Sequence, residues 1–337
     1  MKDSLDIEKA LNLFPEQLRE AWNQSYSVDL PRNTSSKILI SGMGGSSLAG
    51  RIVASINEAE GTSEIVVYND YGLPGFVNSN WTLIANTYSG NTEETLSAIE
   101  AAKKRNIKIY AVTSGGKVGE MISSGQMSGA ILTPTTNPSN YPKSALGVSL
   151  GGLLGLMAKT GMLDLAPDYF EKSVGELTEI RKTWDVKSVA SKMNQKIPAL
   201  IAARPLLGSV HAGRNVINEI GRTFATFFDL PELDHHLVEA TMFPKDLFQE
   251  IYYLFFESSL YSEKIKTRIK ITKDLFIEQG LNFGEMKLAG SNSLTQSLEI
   301  PHFCAWLAFY ISDLNGVDPG PEPWILKLKD LLSQPLH

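Results

Sequence analysis

Two glycine- and hydroxyl-rich stretches stand where an apolar run ends and a helical pattern begins. The first, "GMGGSS" (42–47), offers Gly42, Gly44 and Gly45 for tight turning, then Ser46 and Ser47 at a helix start. Free N–H groups and the positive dipole end of a helix favour an anion there, so the loop reads as a phosphate site. Its phosphate could belong to a dinucleotide, to ATP or to a substrate. No Gly-Lys-Ser/Thr follows, which excludes a Walker loop. A dinucleotide loop would place glycine where Ser47 stands, yet Asp70, ending the second apolar run, remains available as a ribose-binding acid. The second stretch, "TYSGNTEET" (87–95), gathers Thr87, Ser89, Asn91, Thr92 and Thr95 around one glycine. An N-cap accounts for one of these hydroxyls, not for four. A cofactor domain needs no second hydroxyl cup, so the pair favours a phosphorylated substrate.

The elements that must position these loops can be read from hydrophobic pattern. Buried strands are expected at 37–41, 64–69, 82–87, 107–113 and 130–134, with helical segments after the first, third and fourth. This alternation implies a parallel sheet covered by helices on both faces, with ligands at the carboxyl ends of the strands. A polar helical segment (168–196) leads to a second alternating region. There a strand is expected at 197–203, a helix over 212–228, a strand at 249–258, a charged helix over 262–280, a strand at 283–290 and a long apolar helix over 293–316 containing Pro301. The fold class is therefore α/β, with two αβα sandwich domains divided as residues 1–160 and 161–337, each with a mainly parallel sheet.

Composition narrows the function classes. The 337 residues are 43% apolar and 20% charged, as in a globular protein with a large core, and the net charge of −6 argues against nucleic acid or an acidic membrane as partner. The single cysteine, Cys304, excludes a disulfide framework and a Cys-based zinc site, and fits a cytoplasmic location. The most membrane-like run, residues 144–158, is shorter than the roughly 20 residues a span requires, and reads as a buried helix whose glycines pack closely on a sheet. His302 and Cys304 lie in an apolar helical pattern and are expected in the core.

"GMGGSS", "TYSGNTEET" and "AVTSGGKVGE" (111–120) together resemble the sugar isomerase (SIS) domain. Within it the chain is similar to the bifunctional phosphoglucose/phosphomannose isomerase family. The likeness extends through "NEIGRTFATFFDLPELDHHLVEA" (218–240), "KTRIKITKDLFIEQG" (266–280) and "LNGVDPGPEPWILKLKDLL" (314–332). The resemblance implies a sugar 6-phosphate held by Gly45, Ser46, Ser47, Thr87, Ser89 and Thr92. It implies an aldose–ketose isomerase that interconverts glucose 6-phosphate, and mannose 6-phosphate, with fructose 6-phosphate through an enediolate, without cofactor or metal. Glu219 matches the catalytic base, one helical turn after Asn215. His235 matches a ring-opening histidine that in related isomerases reaches the neighbouring subunit's site, which implies a homodimer. Lys329, rather than Lys327, matches a C-terminal lysine that assists ring opening. Lys143 stands where the family has an arginine that stabilises the enediolate and is expected to take that role, keeping the charge but losing the guanidinium fork. Ile220 and Gly221, beside the base, and Gly320, where a threonine is common, are further departures. Asp234, His235, His236 and Glu239 offer an alternative metal-binding reading. A non-catalytic phosphosugar sensor would keep the cups but lose the acid–base set.

Overall fold

The computed structural model describes residues 2–244 and 247–332, apart from the side chain of Glu60. Two helices, α1 (Ile7–Asn12) and α2 (Phe14–Tyr26), precede an alternating region. It runs β1 (Lys37–Ser41), α3 (Gly44–Glu60), β2 (Glu64–Tyr68), β3 (Trp81–Thr87), α4 (Glu93–Lys104), β4 (Lys108–Thr113), α5 (Gly116–Ser123) and β5 (Ser128–Ile131). Three helices follow: α6 (Leu146–Thr160), α7 (Pro167–Ile180) and α8 (Val186–Met193). The second region comprises β6 (Ile197–Ala203), α9 (Leu207–Glu219), β7 (Thr226–Leu230), β8 (Ile251–Glu257), α10 (Glu263–Glu278), β9 (Asn282–Lys287), α11 (Ser293–Leu314) and α12 (Pro323–Leu332).

The strands form a five-stranded sheet in the order β2-β1-β3-β4-β5 and a four-stranded sheet in the order β7-β6-β8-β9. Every strand pair in both sheets is parallel. Strands buried on both faces explain the continuous apolar runs "KILI" and "LIAA". Each sheet has one point at which the chain winds outward in both directions, between β1 and β3 and between β6 and β8, and such points leave a crevice.

The structure corrects three expectations. The helix expected over 212–228 stops at Glu219, and Thr226–Leu230 is strand β7. Arg222 takes a left-handed backbone (φ 48°), and the side-chain carbonyl of Asn218 accepts a hydrogen bond from the Ala225 N–H at 2.8 Å, so the chain turns there and releases the β-prone "TFFDL" to pair with β6. The strand expected at 130–134 begins two residues earlier and ends before Pro134, which has no N–H to donate. The glycines of α6 pack mostly on a helix, not a sheet. Gly147, Gly151 and Gly155 face the backbone of α2, and only Gly152 faces the sheet, at Val112 and Leu132. A methyl group at Gly151 would collide with the Leu18 carbonyl.

The cores of the two regions interlock. Ile7 and Leu11 of α1 pack into the core around the second sheet, while Leu294 and Leu298 of α11 and Ala212 of α9 pack into that of the first. His302 and Cys304 are buried as expected, His302 stacking on Phe14 with ring centroids 4.7 Å apart. Helix α11 continues through Pro301.

Candidate active site

Because β1 and β3 are neighbours in register, with Ser41 opposite Ala85, the two hydroxyl-rich loops leave the sheet side by side at the β1/β3 crevice. They are tied to each other: the Asn86 side-chain amide donates to the Ser46 carbonyl at 2.9 Å, and the Ser46 hydroxyl accepts from the Tyr88 N–H at 3.1 Å. A Cβ on Gly42 would come within 2.6 Å of the Asn86 carbonyl, so this crossing admits only glycine. Ser47 lies in the first turn of α3, its hydroxyl receiving the Asn69 amide at 2.5 Å. Thr92 precedes α4 but makes no side-chain capping bond; its hydroxyl meets that of Thr87 at 3.0 Å. Ser89 is exposed and accepts from the Asn91 N–H at 3.3 Å. Two helix N-termini and these hydroxyls thus border one crevice, an arrangement suited to an oxyanion. Asp70, the ribose-acid candidate, accepts from the N–H of its neighbour Tyr71 at 2.7 Å, while Asn69, not Asp70, contacts the glycine loop.

The rim of this crevice leads to a cluster of charges. A Cβ on Gly45 would lie 3.4 Å from the Pro142 carbonyl, so the first loop abuts the 3-10 turn Pro142–Ser144 that carries Lys143. The Lys143 side chain is almost wholly buried and ion-pairs with Glu322 at 3.5 Å. Its ammonium also donates to the carbonyls of Pro319, at 2.8 Å, and Gly320. Glu219 ends α9. Burial, and secondarily the Glu322 carboxylate, push its acid up to about 7, against the opposing pull of Lys143 and Lys329. Burial lowers the Lys143 ammonium, with Arg222 acting in the same direction and Glu322 and Glu219 against it. Of the four expected acid–base residues, Lys143 and Lys329 both act on the Glu219 carboxyl, each favouring its ionised form. A carboxyl that titrates near neutrality is of the kind that can exchange a carbon-bound proton.

His235 is placed elsewhere. It is exposed, at the end of the 3-10 turn Glu232–His235 that follows β7. Glu219 precedes β7, whose five residues span roughly 16 Å at about 3.3 Å each, so the two residues lie toward opposite ends of the second sheet. Asp234 is engaged by Arg268 at 3.0 Å and by Thr272 at 2.7 Å. Among the described residues no group of three or more His, Cys, Asp or Glu side chains is arranged to hold a metal ion. Nor is any helix among them long and apolar enough to cross a membrane.

The family described as bacterial phospho-glucose isomerase C-terminal SIS domain matches residues 183–332. A bifunctional phosphoglucose/phosphomannose isomerase of Thermoplasma volcanium is 32% identical over 299 residues, spanning 87% of this chain and 90% of its own. The chain belongs to the bifunctional phosphoglucose/phosphomannose isomerase family. The Thermoplasma acidophilum member is 29% identical over 95% of this chain and 97% of its own. Tagatose-6-phosphate ketose/aldose isomerase from Escherichia coli shares the fold, with a TM-score of 0.69 at 15% identity, over 94% of this chain and 96% of that one.

Two residues of the charged cluster escape a reading of the sequence against this family. Glu322, between two prolines just before α12, resembles a solvated loop acid, yet it is the ion-pair partner of Lys143. Arg222 looks like an ordinary turn residue, yet it is half-buried and its Nε has no partner among the described residues. The spacing of Glu322 from Lys143 in the chain gives no local signal. Another carboxyl pushed up to about 7, Glu299, is a fastening rather than a site: it accepts from the Ala289 and Gly290 N–H groups at 3.1 and 2.6 Å.

Proposed function

We propose that the protein interconverts glucose 6-phosphate and mannose 6-phosphate with fructose 6-phosphate, acting as an aldose–ketose isomerase in the cytoplasm. The phosphate docks at Gly45, Ser46, Ser47, Thr87, Ser89 and Thr92, in the unit spanning residues 1–160. The unit spanning 161–337 supplies Glu219 as the base that moves the proton between C2 and C1. Lys329 assists ring opening together with His235 from a second copy of the chain. Lys143 contributes positive charge beside the base. The observation that carries this reading is the Glu219 carboxyl, pushed up to about 7 by burial while Lys143 and Lys329 pull against it, with Lys143 carried on the Pro142–Ser144 turn that abuts the first hydroxyl-rich loop.

A homodimer is supported by the surface as well as by the position of His235. No residue of α12 is buried, although the helix carries Trp324, Leu328, Leu331 and Leu332. Phe224, Met242 and Phe243 are also exposed. A helix that bears Lys329 and leaves Trp324, Leu328, Leu331 and Leu332 exposed fits a surface covered by a second copy.

The test is a coupled assay with each hexose phosphate, run beside ligand-induced thermal shifts. Glu219→Gln is expected to lower kcat by ~10³-fold or more while glucose 6-phosphate still raises Tm. Retained turnover in this variant would remove Glu219 as the base. Stabilisation of the wild type by NAD alone would restore the dinucleotide reading, and stabilisation by hexose phosphates without turnover would favour a sensor.

A further inference from the structure

The isomerisation leaves negative charge on oxygen at the moment Glu219 holds the proton. Glu219 takes the C2 proton of the open-chain aldose, the C2–H pair becomes the C1–C2 double bond, and the carbonyl pair moves onto O1. The same proton returns to C1 as O2 becomes the carbonyl, and the hydroxyl proton of O2 passes to O1. A preorganised cationic donor aimed at these oxygens is worth a large share of the barrier.

Lys143 is not free to be that donor. An ammonium has three N–H groups, and here they face the carbonyls of Pro319 and Gly320 and the carboxylate of Glu322. Turning Nζ toward a substrate would leave the buried carbonyls of Pro319 and Gly320 without a donor, so the lysine is held where it is. The lysine instead straps the 319–322 turn, and so the start of α12, to the rim of the phosphate loop.

Arg222 has the opposite character. It lies three residues beyond Glu219, on the turn between α9 and β7, and holds a left-handed backbone (φ 48°) that non-glycine residues seldom adopt. Its side chain is half-buried, its Nε is buried with no partner among the described residues, and its charge reaches Lys143. A buried guanidinium N–H kept in this state, on the turn that follows Glu219, lacks an acceptor. We propose that Arg222 is the cationic donor to the enediolate O1 and O2, while Lys143 is a positioning residue for the α12 turn. The inference rests on the isomerase reading. It restores to the site the planar fork that the lysine at position 143 removes, and it delivers that fork from a different element.

Arg222→Gly is the decisive variant, because glycine adopts this backbone without strain and the turn is kept. Tm is expected to stay within about 3 °C of the wild type. The KM for either hexose phosphate should change less than about threefold, and kcat should fall by ~10²–10³-fold. Arg222→Lys should recover only part of the loss, and added ethylguanidinium should partly rescue Arg222→Gly. A phosphorylated aldonohydroxamate shaped like the enediolate should lose affinity in step with kcat/KM, as a transition-state contact requires. An Arg222→Gly enzyme with kcat within threefold of an active wild type would overturn the assignment of Arg222 alone. So would a parallel loss of kcat, Tm and ground-state binding that ethylguanidinium does not relieve. A wild type that isomerises neither hexose phosphate would overturn the isomerase reading and this inference with it.

Discussion

Glu219 is surrounded by opposed influences, and each can be removed singly. Burial and the Glu322 carboxylate favour its neutral form, while Lys143 and Lys329 favour the carboxylate. As the proposed base it must be ionised, so kcat/KM is expected to rise with pH along an acid limb centred at about 7. Glu322→Gln removes a negative neighbour, stabilises the carboxylate and should move that limb to lower pH. Lys329→Met removes a positive neighbour and should move it to higher pH. A pH–rate profile of the three enzymes checks both directions, and shifts of the opposite sign would separate the limb from Glu219. The same displacement has a stability counterpart. A carboxyl raised above its unfolded value of 4.5 contributes stability that is present below that pH and is lost as pH rises through about 7.

At the scale of elements, legibility followed locality. The strands and the two cups could be read because a buried parallel strand and a glycine turn each write their requirements into a few adjacent residues. The end of α9 could not, since Ile220 and Phe224 continue an apolar helical spacing and only the left-handed Arg222 and the Asn218 to Ala225 bond stop the helix. Glu322 was hidden for a related reason: its partner Lys143 is remote in sequence, and a loop acid is ordinarily solvated. The α6 glycines announced close packing but not their partner, which the topology supplies as α2. That contact makes a prediction about sign. Glycine to alanine inside a helix normally adds about 1 kcal/mol of stability. At Gly151 the new methyl meets Leu18 backbone, with Cα at 2.9 Å, so Gly151→Ala should instead cost about 1–3 kcal/mol in denaturant unfolding. Gly175→Ala on α7, where a methyl meets only Arg19 Nη2 at 3.9 Å, is the control and should be neutral or stabilising. Equal effects at the two sites would refute close α2–α6 packing as the reason for the stripe.

For the whole molecule, the distribution of the acid–base set decides whether one chain is a complete enzyme. In the proposed site the phosphate cup lies at the β1/β3 crevice of the first sheet, and Glu219 comes from the end of α9 and Lys329 from α12. His235 lies beyond β7 and faces solvent. If a second copy brings its His235 to this Glu219, then each site of a C2 dimer contains one residue from each chain. Glu219→Gln and His235→Asn homodimers should then both be inactive. Mixed and allowed to exchange subunits, they should produce a heterodimer with one doubly defective site and one intact site. Random exchange makes half the dimers mixed, so activity should recover to about a quarter of the wild-type value. Recovery that tracks the rate of subunit exchange would assign His235 to the partner's site. An exchanged mixture that stays inactive would place base and histidine in the same chain's site. A wild type that stays monomeric in size-exclusion chromatography while turning over would place them there too.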